Sequence, residues 1–359
     1  MKKEYRNASR FDKGLCNKTG AGLTVIIPAY NEAASIADTI RSLQKQTRKP
    51  EAILVVDDCS SDGTGDIAGN LGVTVVCPAR NTGSKAGAQN FALPMVKTEF
   101  VMALDADTTL EPNAIEKLQA AFADAGVVAA CGFVLPRRVR TIWERGRYVE
   151  YLFAFTFYKQ VQDFYEKPMI SSGCFSMYRT RVLQTQGGWS TRTLAEDMDL
   201  TWSFYQAGHK VRFIPEAVSY PIEPHNYNFM SKQLRRWSHG FVQNVQLHWK
   251  GLLEVPFLRS AVAVATWDAA IASFVFLLVL PLLALVLQQP WLLLGYVIDI
   301  PALLIPLLFG AWPRKEFGKA LSSLPAFFVL RVVNAAFFLE AIWSEWVRGR
   351  SLMVYEKGH

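Results

Sequence analysis

The sequence predicts an α/β domain built on a mainly parallel sheet, with a hydrophobic helical tail behind it. Compact apolar strands alternate with helical stretches early in the 359 residues, the pattern of a sheet covered on both faces. Long uncharged runs near the end of the chain have the length of membrane helices. Three of the strands also run directly into acid-rich loops, and those loops carry the functional reading.

The first strand is LTVIIP (23–28), a β-branched run, with a helix expected from Ala33 to about Gln46. AILVV (52–56) is the second, followed by GDIAGNLG as a short helix. VTVVC (73–77) is the third, followed by GAQNFALPMV. EFVMALD (99–105) is the fourth, followed by a helix around AIEKLQAAFADAG. In open α/β sheets, ligands bind beyond the carboxyl ends of the strands. Here those ends carry PAYNE, DDCSSDGT and DADTTLEP, so three acidic loops are expected on one edge. A lone Asp after a strand more often forms a turn or caps a helix, and Asp62 is assigned to that role. Three acidic loops on one edge are harder to explain in this way. The DAD triplet suits Mg²⁺ or Mn²⁺ beside a diphosphate, because hard cations take oxygen ligands. The sequence has no P-loop pattern and no G-x-G-x-x-G after its first strand, which argues against both kinds of nucleotide site.

In the tail, residues 269–287 form a charge-free run long enough to cross a bilayer. After QQP a second run covers 291–312, with Asp299 as its one charge. Arg235, Arg236, Lys250 and Arg259 precede the pair, and Arg314, Lys315 and Lys319 follow it. The positive-inside rule then puts both flanks in the cytoplasm and QQP outside. A third segment, 325–343, carries Arg331, Asn334 and Glu340, and is open between spanning and lying in the interface. Asp268 and Asp299 are expected to face protein or a polar path.

Composition narrows the classes further. The first residues lack the apolar core of a signal peptide, so the front of the chain is expected in the cytoplasm. Five cysteines, an odd number without C-x-x-C, argue against a disulfide framework and for a reducing compartment. The histidines show no zinc pattern. The formal charge is +7, of which residues 259–359 supply +2. This diffuse excess lacks the basic stripe of a nucleic-acid binder and suits a membrane surface or substrate phosphates.

PAYNE, VVDDCSSDGT, KAGAQN, DAD, SSGCFSMYR, AEDMDLTW and QLRRW occur in this order from about Leu23 to Trp237. Together they resemble the family 2 glycosyltransferases, in the membrane-integrated branch with the cellulose, chitin, hyaluronan and poly-N-acetylglucosamine synthases. The resemblance implies a GT-A (Rossmann-like, nucleotide-sugar-binding) domain followed by C-terminal transmembrane helices. The expected boundaries are a polar segment (1–22), the GT-A domain (23–225), interfacial helices (226–258) and a membrane domain (259–359). Spans are expected at about 265–287 and 291–311, with a possible third at 325–345.

The resemblance also implies roles. Pro28, Tyr30, Glu32, Asp57, Asp58, Lys85 and Asp105 should form the nucleotide-sugar site, with Asp58 on the uracil; for Lys85 a solvated helix-start lysine is the equal alternative. Asp107 should ligate Mg²⁺ or Mn²⁺. Ser172, Gly173 and Glu196 should border the sugar and acceptor, while Cys174 packs. AEDMDL matches the family's T-E-D motif with Ala195 in place of Thr, and Asp197 is the matching general base; Asp199 supports it. Q-x-x-R-W gives Gln233, Arg236 and Trp237, which share a helix face at i, i+3 and i+4. Arg236 should bind the diphosphate and Trp237 should stack under the acceptor. Arg235, Lys232 and Lys250 are left to headgroups.

The expected activity is inverting transfer from a UDP-sugar to a growing polysaccharide, by a multi-pass protein of the cytoplasmic membrane with its catalytic domain in the cytoplasm. The partners are the UDP-sugar, a polysaccharide or lipid-linked acceptor and the bilayer, and no nucleic acid. Two alternatives stand beside it: a polyprenyl-phosphate glycosyltransferase adding one sugar, and a membrane-anchored nucleotide- or nucleic-acid-binding module without catalysis.

Overall fold

The computed structural model describes residues 22–297 and 300–353; Asp299 lies outside the described residues, as does the side chain of Asp268. Eight strands make one sheet: β1 (Leu23–Ala29), β2 (Ala52–Asp57), β3 (Thr74–Val76), β4 (Phe100–Leu104), β5 (Thr109–Leu110), β6 (Val127–Val134), β7 (Phe175–Arg179) and β8 (Lys210–Tyr220). Their order is β3-β2-β1-β4-β7-β6-β8-β5. The first four are parallel neighbours, as the alternation of strands and helices predicts. Beyond β4 the sheet is mixed: β7 runs antiparallel to both β4 and β6. The reason lies in where β7 starts. Phe175 pairs with Leu104 at the carboxyl end of β4, so the chain must run back from that edge. The Ser171–Cys174 loop is thereby set against the acidic loop after β4, where the Asp105 N–H donates to the Cys174 carbonyl at 3.2 Å.

The helices α1 (Ile36–Gln44), α2 (Thr64–Asn70), α3 (Lys85–Ala92) and α4 (Ala114–Ala120) connect the early strands. Side chains alternate across a strand, and β1 shows it. Ile26 joins the cluster on the face covered by α3, while Val25 and Ile27 join Ile36 and Ile40 of α1 on the other. All five are fully buried, and each such side chain stabilises the fold by about 1.5–3 kcal/mol. The four cysteines among the described residues are free thiols.

The second half is helical. It comprises α5 (Ile142–Phe153), a π-turn (Ala154–Tyr158), α6 (Lys159–Phe164), α7 (Thr180–Thr185), α8 (Glu196–Gln206), α9 (Tyr227–Glu254), α10 (Pro256–Phe274), α11 (Leu280–Val286), α12 (Ile300–Ala311) and α13 (Phe317–Ile342). By length and composition, Pro290–Ala311 and Phe317–Val347 are the helical stretches able to cross a membrane among the described residues. The run expected as the first span contains shorter apolar helices, Val275–Val286 among them. The segment left open from its charges is the longer candidate. Its polar groups meet protein: Glu340 pairs with Arg235 at 3.1 Å, the Asn334 amide donates to Glu150 at 3.4 Å, and the Arg331 guanidinium sits 4.8 Å over the Phe276 ring. Arg235, expected at headgroups, is therefore held by an ion pair to α13.

Candidate active site

The carboxyl ends of β1, β2 and β4 lie side by side, and their loops are laced together. After β1 the chain turns through Asn31 in the left-handed region (φ 54°), which Asn tolerates better than most residues. The Asn31 side chain accepts from the Ser61 N–H at 2.9 Å, and the Glu32 N–H donates to the Thr64 hydroxyl at 2.7 Å. Asp62 is a turn residue, as expected: it accepts from the N–H groups of Ala33 and Thr64. Pro28 is half-buried and Tyr30 is exposed on this edge. Glu32 is buried and accepts from the Ser35 hydroxyl at 2.6 Å, so part of its carboxylate is committed to the start of α1.

Asp57 accepts from the Ser60 N–H at 3.0 Å. Asp58 is buried, and its two oxygens accept from the Thr82 N–H and hydroxyl, each at 2.8 Å. Thr82 was invisible in the sequence, because nothing in NTGSKAG announces a partner 24 residues back. A carboxylate oxygen has a second lone pair, so this anchoring leaves Asp58 able to accept from a base.

Lys85 stands at the centre. It begins α3, where Ser84 caps the helix by accepting from the Gly87 N–H. Its ammonium pairs with Asp105, donates to the Gly173 carbonyl at 3.0 Å and lies 3.9 Å from Glu196. It is an interior cation, and the solvated alternative does not hold. The Gly173 N–H in turn donates to Asp197 Oδ2 at 2.8 Å, and the Met198 N–H to Oδ1 at 2.8 Å. Asp197 thus sits in the first turn of α8, aimed by two backbone donors. Burial lifts the Glu196 carboxyl above the usual carboxylate range; Asp197 pushes it the same way, while Lys85 and Arg236 oppose. That coupling brings Arg236 of α9 within electrostatic reach of the same centre. Burial pushes the Cys174 thiol well up, with Asp105 adding to the effect, which suits packing and not nucleophilic attack.

The close approach at Gly173 has a testable consequence. A Cβ there would stand 3.1 Å from Asp197 Oδ2 and 3.2 Å from Lys85 Nζ. Gly173→Ala should therefore displace both groups by a few tenths of an ångström and slow turnover about tenfold. The melting temperature should stay within about 2 °C of the parent; kinetics and thermal unfolding on one preparation check this.

Asp199 belongs to the support. It is buried and takes a bidentate pair from Arg192 (2.7 and 2.8 Å) and a 2.6 Å contact from His248 of α9. Burial raises its pKa, but the bonds from His248 and Arg192 outweigh that and hold it at about 2. Ala195, at the position of the family's Thr, also has a packing role. A Cβ on Gly240 of α9 would stand 2.7 Å from the Ala195 Cβ, so the two small residues let α9 lie directly on the start of α8.

Two of the Q-x-x-R-W residues, Gln233 and Trp237, come together around a group the sequence did not flag. Arg147 of α5 is fully buried; it donates to Gln233 Oε1 at 2.8 Å and lies 4.5 Å from the centroid of Trp237. Glu223 was missed too, in a loop without periodicity. Lys159 is a third such residue, donating to the Ser172 hydroxyl at 2.7 Å. In the sequence each of the three looks only like an ordinary charged residue.

Among the described residues no cluster of three or more His, Cys, Asp and Glu makes a complete metal cage. The carboxylates of Asp105, Glu196 and Asp197, with Asp107 two residues on, outnumber the cations Lys85 and Arg236. Asp107 is half-buried and accepts from the Thr108 hydroxyl at 3.2 Å. A single carboxylate such as Asp107 is the kind of hard oxygen ligand that Mg²⁺ or Mn²⁺ takes where substrate phosphates complete the shell.

Comparison with known proteins bears on the family and the fold. The model of glycosyl transferase family 2 matches residues 24–187. The chain is 26% identical over 224 residues to the poly-beta-1,6-N-acetyl-D-glucosamine synthase of Staphylococcus aureus (strain COL), covering 61% of this chain and 54% of that one. It thus spans about half the length of that relative. It is 30% identical over 218 residues to the O-antigen chain rhamnosyltransferase WbaN of Salmonella anatum, covering 58% of this chain and 68% of that one. Among solved structures, a mannosyltransferase from Pyrobaculum calidifontis, in complex with GDP-Man and Mn²⁺, superposes with a TM-score of 0.58 at 19% identity. That match covers 91% of this chain and 87% of the other, and shows a shared GT-A fold.

Proposed function

Because the chain belongs to glycosyltransferase family 2, it is a sugar-transferring enzyme, and we propose that it moves a sugar from a UDP-sugar to a growing polysaccharide at a membrane, with inversion. One observation supports this most: Asp197, Gly173, Lys85 and Asp105 form one connected group at the strand ends. The name of the Staphylococcus relative supports a polysaccharide product. The apolar helices Pro290–Ala311 and Phe317–Val347 support membrane attachment.

In this reading the nucleotide lies across the loops after β1 and β2, beside Pro28, Tyr30, Glu32, Asp57 and Asp58. Asp105 and Lys85 stand at the diphosphate. Ser172, Gly173 and Glu196 border the sugar. Asp107 would hold Mg²⁺ or Mn²⁺, which neutralises charge on the leaving diphosphate when bound. Asp197 takes the proton of the acceptor hydroxyl as its oxygen attacks the anomeric carbon. The bond from that carbon to the diphosphate oxygen breaks on the opposite side, so an α-linked donor gives a β-linkage. Arg236 faces the charge that builds on UDP. Gln233 and Trp237 receive the acceptor.

The second reading is transfer of one sugar to a polyprenyl phosphate. It is favoured by there being two helical stretches able to cross a membrane among the described residues, since a channel for a polymer ordinarily uses more. The test is to give membranes carrying the protein labelled UDP-N-acetylglucosamine, UDP-glucose or UDP-glucuronate with Mg²⁺ or Mn²⁺, and to size the product. A long polymer, lost on adding a chelator, is the expected result. A single lipid-linked sugar transfers the assignment to the second reading, and no incorporation from any donor overturns both.

A further inference from the structure

We infer that Arg147 is a positioning residue that sets the orientation of Gln233 and Trp237 for the acceptor. The inference rests on the proposal that these two residues face the acceptor.

A fully buried guanidinium is costly unless its charge and its donors are met. Arg147 is 0% exposed. Glu150 pairs with it at 2.5 Å and Glu223 at 3.5 Å, both through carboxylate oxygens. The guanidinium presents five N–H groups in a fixed fork. With two arms turned to the carboxylates, another reaches Gln233 Oε1 at 2.8 Å. The Gln233 oxygen is thereby committed to Arg147. The guanidinium carbon also lies 4.5 Å from the Trp237 ring centroid, within range of a cation–π attraction that grows on desolvation.

The two carboxylates have further partners, while Arg147 Nε meets Glu223 as an ion pair at 3.5 Å without a hydrogen bond. The Tyr151 hydroxyl donates to Glu223 at 2.9 Å, and the Asn334 amide of α13 donates to Glu150 at 3.4 Å. Arg147 therefore touches two of the three Q-x-x-R-W residues while meeting no solvent. It acts through them, without touching substrate. A lysine here keeps the charge but loses the planar fork and its stacking, so the change is not conservative.

The full-length protein in membranes is tested as Arg147→Lys, Gln233→Leu, Trp237→Phe and the Arg147→Lys/Gln233→Leu double variant. The donor is whichever of the three labelled UDP-sugars the parent incorporates. Two quantities are read: UDP released per sugar incorporated, and the KM for the donor. A loosened acceptor lets water take the sugar, so Arg147→Lys should raise UDP released per sugar incorporated about five- to tenfold, with donor KM within about twofold. The double variant should be no worse than the poorer single variant, because the two residues act as one unit. In Arg147→Lys assayed well below its own melting temperature, where it is folded, a ratio that stays raised separates positioning from simple loss of fold. An unchanged ratio in Arg147→Lys, beside a raised ratio in Gln233→Leu and Trp237→Phe, overturns the inference alone. Unchanged ratios in those two variants overturn the acceptor-facing reading and the inference with it. No incorporation by the parent does the same.

Discussion

Asp197→Asn should lower sugar transfer about 10³-fold while leaving UDP affinity within about threefold. The substitution keeps the size of the side chain but removes the lone pair that takes the proton. Two backbone donors, from Gly173 and Met198, hold one carboxylate oxygen each at 2.8 Å. An amide can accept from only one of them, which adds about 1 kcal/mol of local cost and is small beside the kinetic loss. Single-turnover transfer with labelled donor, alongside equilibrium titration of UDP, checks both halves. Retained transfer would move the base elsewhere. Glu196 is then the next carboxylate, since it lies 3.9 Å from Lys85 at the same centre.

Arg236→Ala should cost about 10²- to 10³-fold in kcat/KM, whereas Arg235→Ala should cost less than about threefold. The neighbours differ in surroundings and not in type. Arg236 lies within electrostatic reach of Glu196, where it opposes the rise that burial imposes on that carboxyl. Arg235 pairs at 3.1 Å with Glu340, across side chains that are 48% and 44% exposed, and lies over the Phe337 ring. An exposed pair of that kind contributes little, because water screens both charges. Parallel kinetics on the two variants decide between them, and equal mild losses would remove Arg236 from the diphosphate.

How much of this was legible depends on the range of the interactions. β1, β2 and β4 could be read because a strand buried on both faces must be apolar throughout, and the acids had to lie at its end. The mixed half of the sheet could not be read in that way. Nothing in the residues Phe175–Arg179 says that they run antiparallel to β4; the direction follows from where the Ser171–Cys174 loop must lie. Asp197, Gly173 and Lys85 were legible as motif residues, but their hydrogen-bond chain was not, because it joins segments 24 and 88 residues apart. Arg147 and Glu223 were missed altogether. A buried ion pair between a helix and an irregular loop leaves no periodicity, and each residue alone looks like ordinary surface charge. The partner of Arg235 was not legible either, because it lies 105 residues on in a segment whose packing the sequence left open.

The contact between Gly240 and Ala195 has a mechanical meaning. α9 is a single helix of 28 residues, about 42 Å long. It carries Q-x-x-R-W near one end, rests on the start of α8 at Gly240, and meets α10 after a single residue, Val255. No slack linker lies between the sugar-transfer centre and the apolar helices. The helix that leads to the apolar segments is thus the one that carries Arg236 and Trp237, seated at Gly240 against the start of α8 and so close to Asp197.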